Sequence, residues 1–179
     1  MQDIEKDASF LLEKFEKKLK VKNILDLLPK VIQNFYITYD KSYDKICCIF
    51  DRDKKSFTAR QYDSVIKTCH RQGFSLYISN PCFEFWLLMH FKEVKDVYPK
   101  SLLEKDKKGK KTYAQKQLEM ISRKYNLSFG KSNDNAVFFI KRLNIALENV
   151  KFFSDNNQNL KNELGSSLGI LMRELTNLD

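Results

Sequence analysis

The chain has 179 residues, a net charge of +9, 42% apolar and 13% aromatic residues, and only 5 Gly and 3 Pro. That length supports one real core, and the composition excludes a low-complexity or disordered polymer. The charge favours a polyanion such as nucleic acid, while the longest apolar stretch, FEFWLLMHF, is far too short to span a bilayer.

Residues 3–20 carry Ile4, Ala8, Leu11, Phe15 and Leu19 on one stripe, which predicts an amphipathic helix. No apolar signal-peptide segment precedes it. Residues 23–39 also read as helical, with Pro29 at a start or kink. KICCIF (45–50) is short, β-rich and apolar on both faces, as a central strand would be. Residues 57–71 predict a helix stopped by Gly73, and FSLYIS (74–79) predicts a second strand. A second buried helix then begins in NPCFEFWLLMHF, with Asn80 as N-cap and Pro81 at the first helical position. Strand–helix–strand–helix order implies parallel pairing through a right-handed crossover.

From Lys100 to Lys131 there are ten Lys/Arg against three Asp/Glu, so this stretch holds +7 of the +9. Its densest part is EKDKKGKK (104–111), either a solvated lysine loop or one that contacts phosphates. Helices are then predicted at 113–125, 135–153 and 160–177. The expected fold class is α/β: a small, mainly parallel sheet flanked by helices, with a helical C-terminal part. Residues 1–98 would form the α/β core, and 99–179 a basic loop with helices packed on it. The four cysteines form no C-x-x-C pair, and Cys47 and Cys48 are adjacent in an apolar run. Buried free thiols and a cytoplasmic location are therefore expected.

The chemistry concentrates at FDRD (50–53). Residues two apart on an extended chain point the same way, so Asp51 and Asp53 would converge at the carboxyl end of the first strand. Open α/β sheets bind ligands at that edge. Two close carboxylates suit Mg²⁺ or Mn²⁺; the alternative is an acidic turn or a helix cap. Glu84 begins the helix after the next strand, which would bring it beside them. If Pro81 is the first helical residue, Glu84 falls one position past a capping-box glutamate, so a metal or a neighbouring cation is the more fitting partner. Arg52 should point to the opposite face in a structural role. His90 should be packed and hydrogen-bonded, and His70 should lie on the surface.

YDKICCIFDRDK, followed by SNPCFEFWLLMHF, resembles the RloB-like proteins, and KKTYAQKQLEMISRKY and SNDNAVFFIKRLNIAL match more weakly. The resemblance covers residues 40–150. It implies a compact Toprim α/β fold, a Mg²⁺-dependent nuclease cleaving DNA or RNA, and a place in bacterial phage defence. It would make Asp51, Asp53 and Glu84 catalytic metal ligands. Lys54 and Lys55 would meet phosphates beside the site, and Lys107, Lys108, Lys110 and Lys111 would clamp the backbone further out. An ATPase or a second copy of the chain is the expected protein partner, with no membrane partner. One departure is clear. The family's first strand ends in a glutamate within a segment resembling E-G-x-K-T-E. This chain offers only Asp3 or Glu5 there, so its first strand and glutamate are expected to be missing. A Toprim module that binds nucleic acid or a partner without cutting is therefore the alternative, and a phosphatase-like or nucleotidyl-transfer enzyme a third.

Overall fold

The computed structural model describes residues 40, 42–54, 57–96, 111–127 and 135–176. The helices expected at 3–20 and 23–39 lie outside them. The elements are β1 (Cys47–Asp51), α1 (Ala59–Gln72), β2 (Ser75–Asn80), α2 (Phe83–Leu88), α3 (Tyr113–Arg123), α4 (Ala136–Lys141), α5 (Leu143–Val150), β3 (Gly165–Ser166) and α6 (Leu168–Thr176). Short 3₁₀ turns at Lys92–Asp96 and Asn159–Lys161 complete them. The class is α/β with a helical C-terminal part, as the alternation of strand and helix patterns predicts.

Backbone contacts divide the chain into two units, one holding α1, the other holding β1 and everything from Leu76 onward. In the first, α1 buries Tyr62, Val65, Thr68 and Cys69, a 3.6-residue stripe. Gly73 ends α1 in the left-handed region, at φ +73°, where a side chain would be strained.

In the second unit the sheet order is β1-β2-β3 and the pairing is mixed. β2 and β3 are antiparallel, with Ser79 opposite Ser166 and Asn80 opposite Gly165, so β1 and β2 form the parallel pair. The segment 160–177 is not one helix, as its leucine stripe suggested. It opens with a 3₁₀ turn, inserts β3, and becomes helical only at Leu168. The leucines still face inward, since Leu160, Leu164, Leu168 and Leu171 are all buried. The periodicity therefore identified the buried side chains but not the backbone that presents them. Gly165 is required by a close approach: a Cβ there would lie 1.8 Å from the Ser154 carbonyl oxygen. The helix expected at 135–153 is likewise two, broken at Arg142, whose φ of −110° departs from helical geometry.

β1 is not buried on both faces. Cys48 is buried, while Ile49 is 53% exposed and Cys47 is exposed. Its all-apolar run therefore marks an edge strand among the described residues, not a central one. Asn80, 1% exposed, donates through Nδ2 to the Leu160 and Glu163 carbonyls at 2.9 and 2.7 Å. These bonds tie the end of β2 to the turn before β3. The main core gathers Tyr77, Phe85, Trp86, Leu88, Met89 and Phe91 with Ala114, Leu118 and Ile121 of α3, Val150 of α5 and Leu168 of α6. Burying each large side chain contributes about 1.5–3 kcal/mol, and this packing fixes the first turn of α2 in place.

Candidate metal centre

The site is built from two neighbouring strand ends. Asp51 closes β1. The Arg52 N–H donates to the Ser79 carbonyl at 2.8 Å, which holds the end of β1 against β2. After β2 the chain passes through a cis Asn80–Pro81 bond into α2. The helix begins at Phe83 with Cys82 as N-cap, so the expected start at Asn80 and Pro81 lies too early. Asn80 is instead tied to the β3 turn through Nδ2, and its Oδ1 accepts no helical N–H. Glu84 thus occupies the second helical position, where the helix dipole favours a carboxylate.

This geometry brings Asp51 and Glu84 together. Loss of hydration raises the proton affinity of Asp51, the negative charge of Glu84 raises it further, and that of Asp53 adds a smaller push. The Phe83 N–H donates to Asp51 and opposes the rise. Asp53 is half-buried and Asp51 exposed. The Glu84 Oε1 accepts from Gln115 Nε2 at 2.8 Å. Gln115 is itself held in a capping box: its Oε1 accepts the Thr112 N–H at 2.7 Å, and its own N–H reaches Thr112 Oγ1 at 3.2 Å. Cys82 Sγ lies 3.5 Å from Thr112 Oγ1. Burial pushes its thiol up to about 12, with Glu84 and Asp51 adding to the rise, so it stays protonated and is no nucleophile at neutral pH.

Gln115, Thr112 and Cys82 were not singled out from the sequence. The T-x-x-Q spacing of residues 112–115 is the signal that would have found the capping box. Nothing local to it announces a bond to Glu84, 31 residues away.

Arg52 is 3% exposed. Its Nε donates to the Lys161 carbonyl at 3.1 Å and its Nη1 to the Phe57 carbonyl, the structural role expected of it. His90 is also buried; its Nδ1 lies 3.1 Å from the Trp86 carbonyl oxygen, and burial lowers its pKa to about 4. His70 is exposed. Lys54 is exposed, and Lys111 is exposed and ion-paired with Glu119. Asp3, Glu5, Lys55, Lys107, Lys108 and Lys110 lie outside the described residues. Among the described residues, no group of three or more His, Cys, Asp and Glu is arranged to hold a metal ion, and no helix is long and apolar enough to cross a membrane.

Fold and site together define an α/β domain with a carboxylate pair at adjacent strand ends. The chain belongs to the RloB-like protein family, whose model matches residues 2–175. No curated protein and no solved structure gave a significant match.

Proposed function

We propose that the chain is a Mg²⁺-dependent, Toprim-type nuclease of bacterial phage defence. The observation that carries this reading is the proximity of Asp51 and Glu84 across two strand ends, where the charge of one raises the proton affinity of the other. Such a pair is stabilised by a cation. The donors are hard carboxylate oxygens, and Mg²⁺ commonly takes one or two carboxylates, several waters and substrate phosphate. The residues therefore suit a hydrated cation gripped by Asp51 and Glu84, with Asp53 at a greater remove, and not a closed cage. When bound, the metal would polarise a phosphate and lower the pKa of an attacking water.

The chain's own groups do the positioning. The Phe83 amide orients the Asp51 carboxylate, and Gln115 fixes one oxygen of Glu84. Lys54, exposed one residue after Asp53, meets the phosphate backbone. The test is incubation of purified protein with single- and double-stranded DNA and RNA, with Mg²⁺ or Mn²⁺. Cleavage by the wild type that is lost in a folded Asp51→Asn variant is expected; nucleic acid left intact by the wild type under all these conditions overturns the reading.

The hydrogen bond from Gln115 to Glu84 favours a second reading, a module that binds without cutting, in which Glu84 serves to join α2 to α3. That reading expects binding that weakens with salt and survives Asp53→Asn. Affinity indifferent to salt would sink it.

A further inference from the structure

Beside the carboxylate pair lies a pocket of about 310 Å³, lined in part by Phe83, Trp86, His90, Phe139, Leu143 and Met172. Its size sits at the small end of ligand sites. Phe83 belongs to both places: its amide donates to Asp51 while its side chain walls the pocket. Three of the walls are aromatic rings, which suit a flat partner with an apolar face. The lining contains no Lys or Arg, so a phosphate finds no counter-charge inside. Asn135 and His90 are the polar residues of the lining.

The polar edge of His90 has a defined character. The Trp86 carbonyl can only accept, so His90 Nδ1, 3.1 Å from it, carries the ring's proton. Nε2 is then the acceptor of a neutral imidazole, and the burial that lowers its pKa to about 4 keeps it neutral at physiological pH. With Asn135 also in the lining, the complementary ligand is planar and aromatic with polar groups on its rim.

We propose that this pocket receives one unstacked nucleobase of the strand whose phosphate meets Asp51 and Glu84, an inference that rests on the nucleic-acid reading of that pair. Single strands are bound elsewhere by the same combination of backbone contacts and aromatic stacking, and the stacking part tolerates any base.

Trp86 is the sole tryptophan and lines the pocket, so its emission reports occupancy. Wild-type protein in EDTA, which prevents cutting, is titrated with single-stranded oligonucleotides of DNA and RNA and with an abasic strand of equal length. Expected are a change in Trp86 emission and at least tenfold tighter binding of the strands that carry bases. Two variants should erase that advantage without weakening the abasic strand: Ala136→Phe and Ile140→Trp, which crowd the pocket from exposed positions on α4. Equal affinity for both strands with unchanged emission overturns the pocket proposal. If Mg²⁺-dependent cleavage accompanies that result, the nuclease reading stands without it. Failure to bind any strand overturns the pocket proposal, and the separate Mg²⁺ cleavage assay then decides the nuclease reading. Base-dependent emission without cleavage upholds the pocket and counts against cutting.

Discussion

At its C-terminal end, α2 runs into carbonyls that are met by side-chain donors. Asn149 Nδ2 serves Met89 and Phe91 at 2.8 and 3.1 Å, and Arg142 Nε serves His90 at 2.8 Å. At the N-terminal end the neighbours are acids: Asp51 on the Phe83 amide, Glu84 in the first turn, and Asp53 close enough for its charge to be felt. Loss of hydration also moves the two titrating groups in opposite directions. It keeps His90 neutral by lowering its pKa, and it makes Asp51 harder to ionise by raising its own. A helix completed on one side and left with crowded negative charge on the other concentrates its stabilising bonds away from its chemistry. Departures from local satisfaction of this kind are expected at functional sites.

The sharpest way to separate the two ends is Asp51→Asn, which should abolish metal-dependent cleavage while leaving the C-terminal bonds and the circular dichroism spectrum intact. The next effect is on pH dependence. With a folded pKa of about 4 against 6.5, His90 favours folding fully above pH 6.5. Below that the unfolded chain takes up the proton first, so stability falls until pH 4, by roughly 3 kcal/mol at most. Urea titrations across this window should show the loss in the wild type and a much flatter profile in His90→Gln. A wild-type profile already flat would remove half of the contrast. Asn149→Leu keeps the volume but takes the side-chain donor from the Met89 carbonyl, while the Phe91 carbonyl keeps the Val94 N–H, and should cost about 1–3 kcal/mol in a denaturant titration. The smallest effect has the opposite sign. Because the folded pKa of Asp51 is raised, its ionised form costs stability as pH rises through that value. Asp51→Asn should therefore melt slightly higher than wild type at pH 7 without metal, and should lose any upward shift that Mg²⁺ gives the wild type. A lower melting temperature would mean that the carboxylate is already compensated by a protein partner.

Where a single local pattern suffices, the chain is legible. The αL position of Gly73 and the stripe of α1 both follow from neighbours in sequence. The start of α2 does not, because Asn80 looks like a cap until its side chain is required by the Leu160 and Glu163 carbonyls, 80 and 83 residues away. β3 is invisible for the same reason: Gly165 and Ser166 have no strand propensity of their own and pair only because β2 offers its edge. The bond from Gln115 to Glu84 likewise depends on α3 packing beside α2. What the sequence hides is each place where a distant segment decides a local question.

The late arrival of β3 has a consequence for how the protein comes into being. Ser79 and Ser166 are 87 residues apart, so the ribosome must make nearly half of the chain after β2 emerges before its second edge can be covered. At ordinary elongation rates of 5–20 residues per second, that is roughly 4–17 s. During that interval β2 presents bare backbone to any other extended chain, a template for mispairing. Contacts of such long sequence separation also slow spontaneous refolding. Recovery of soluble protein should thus depend on synthesis rate and temperature more than the stability of the finished fold would suggest.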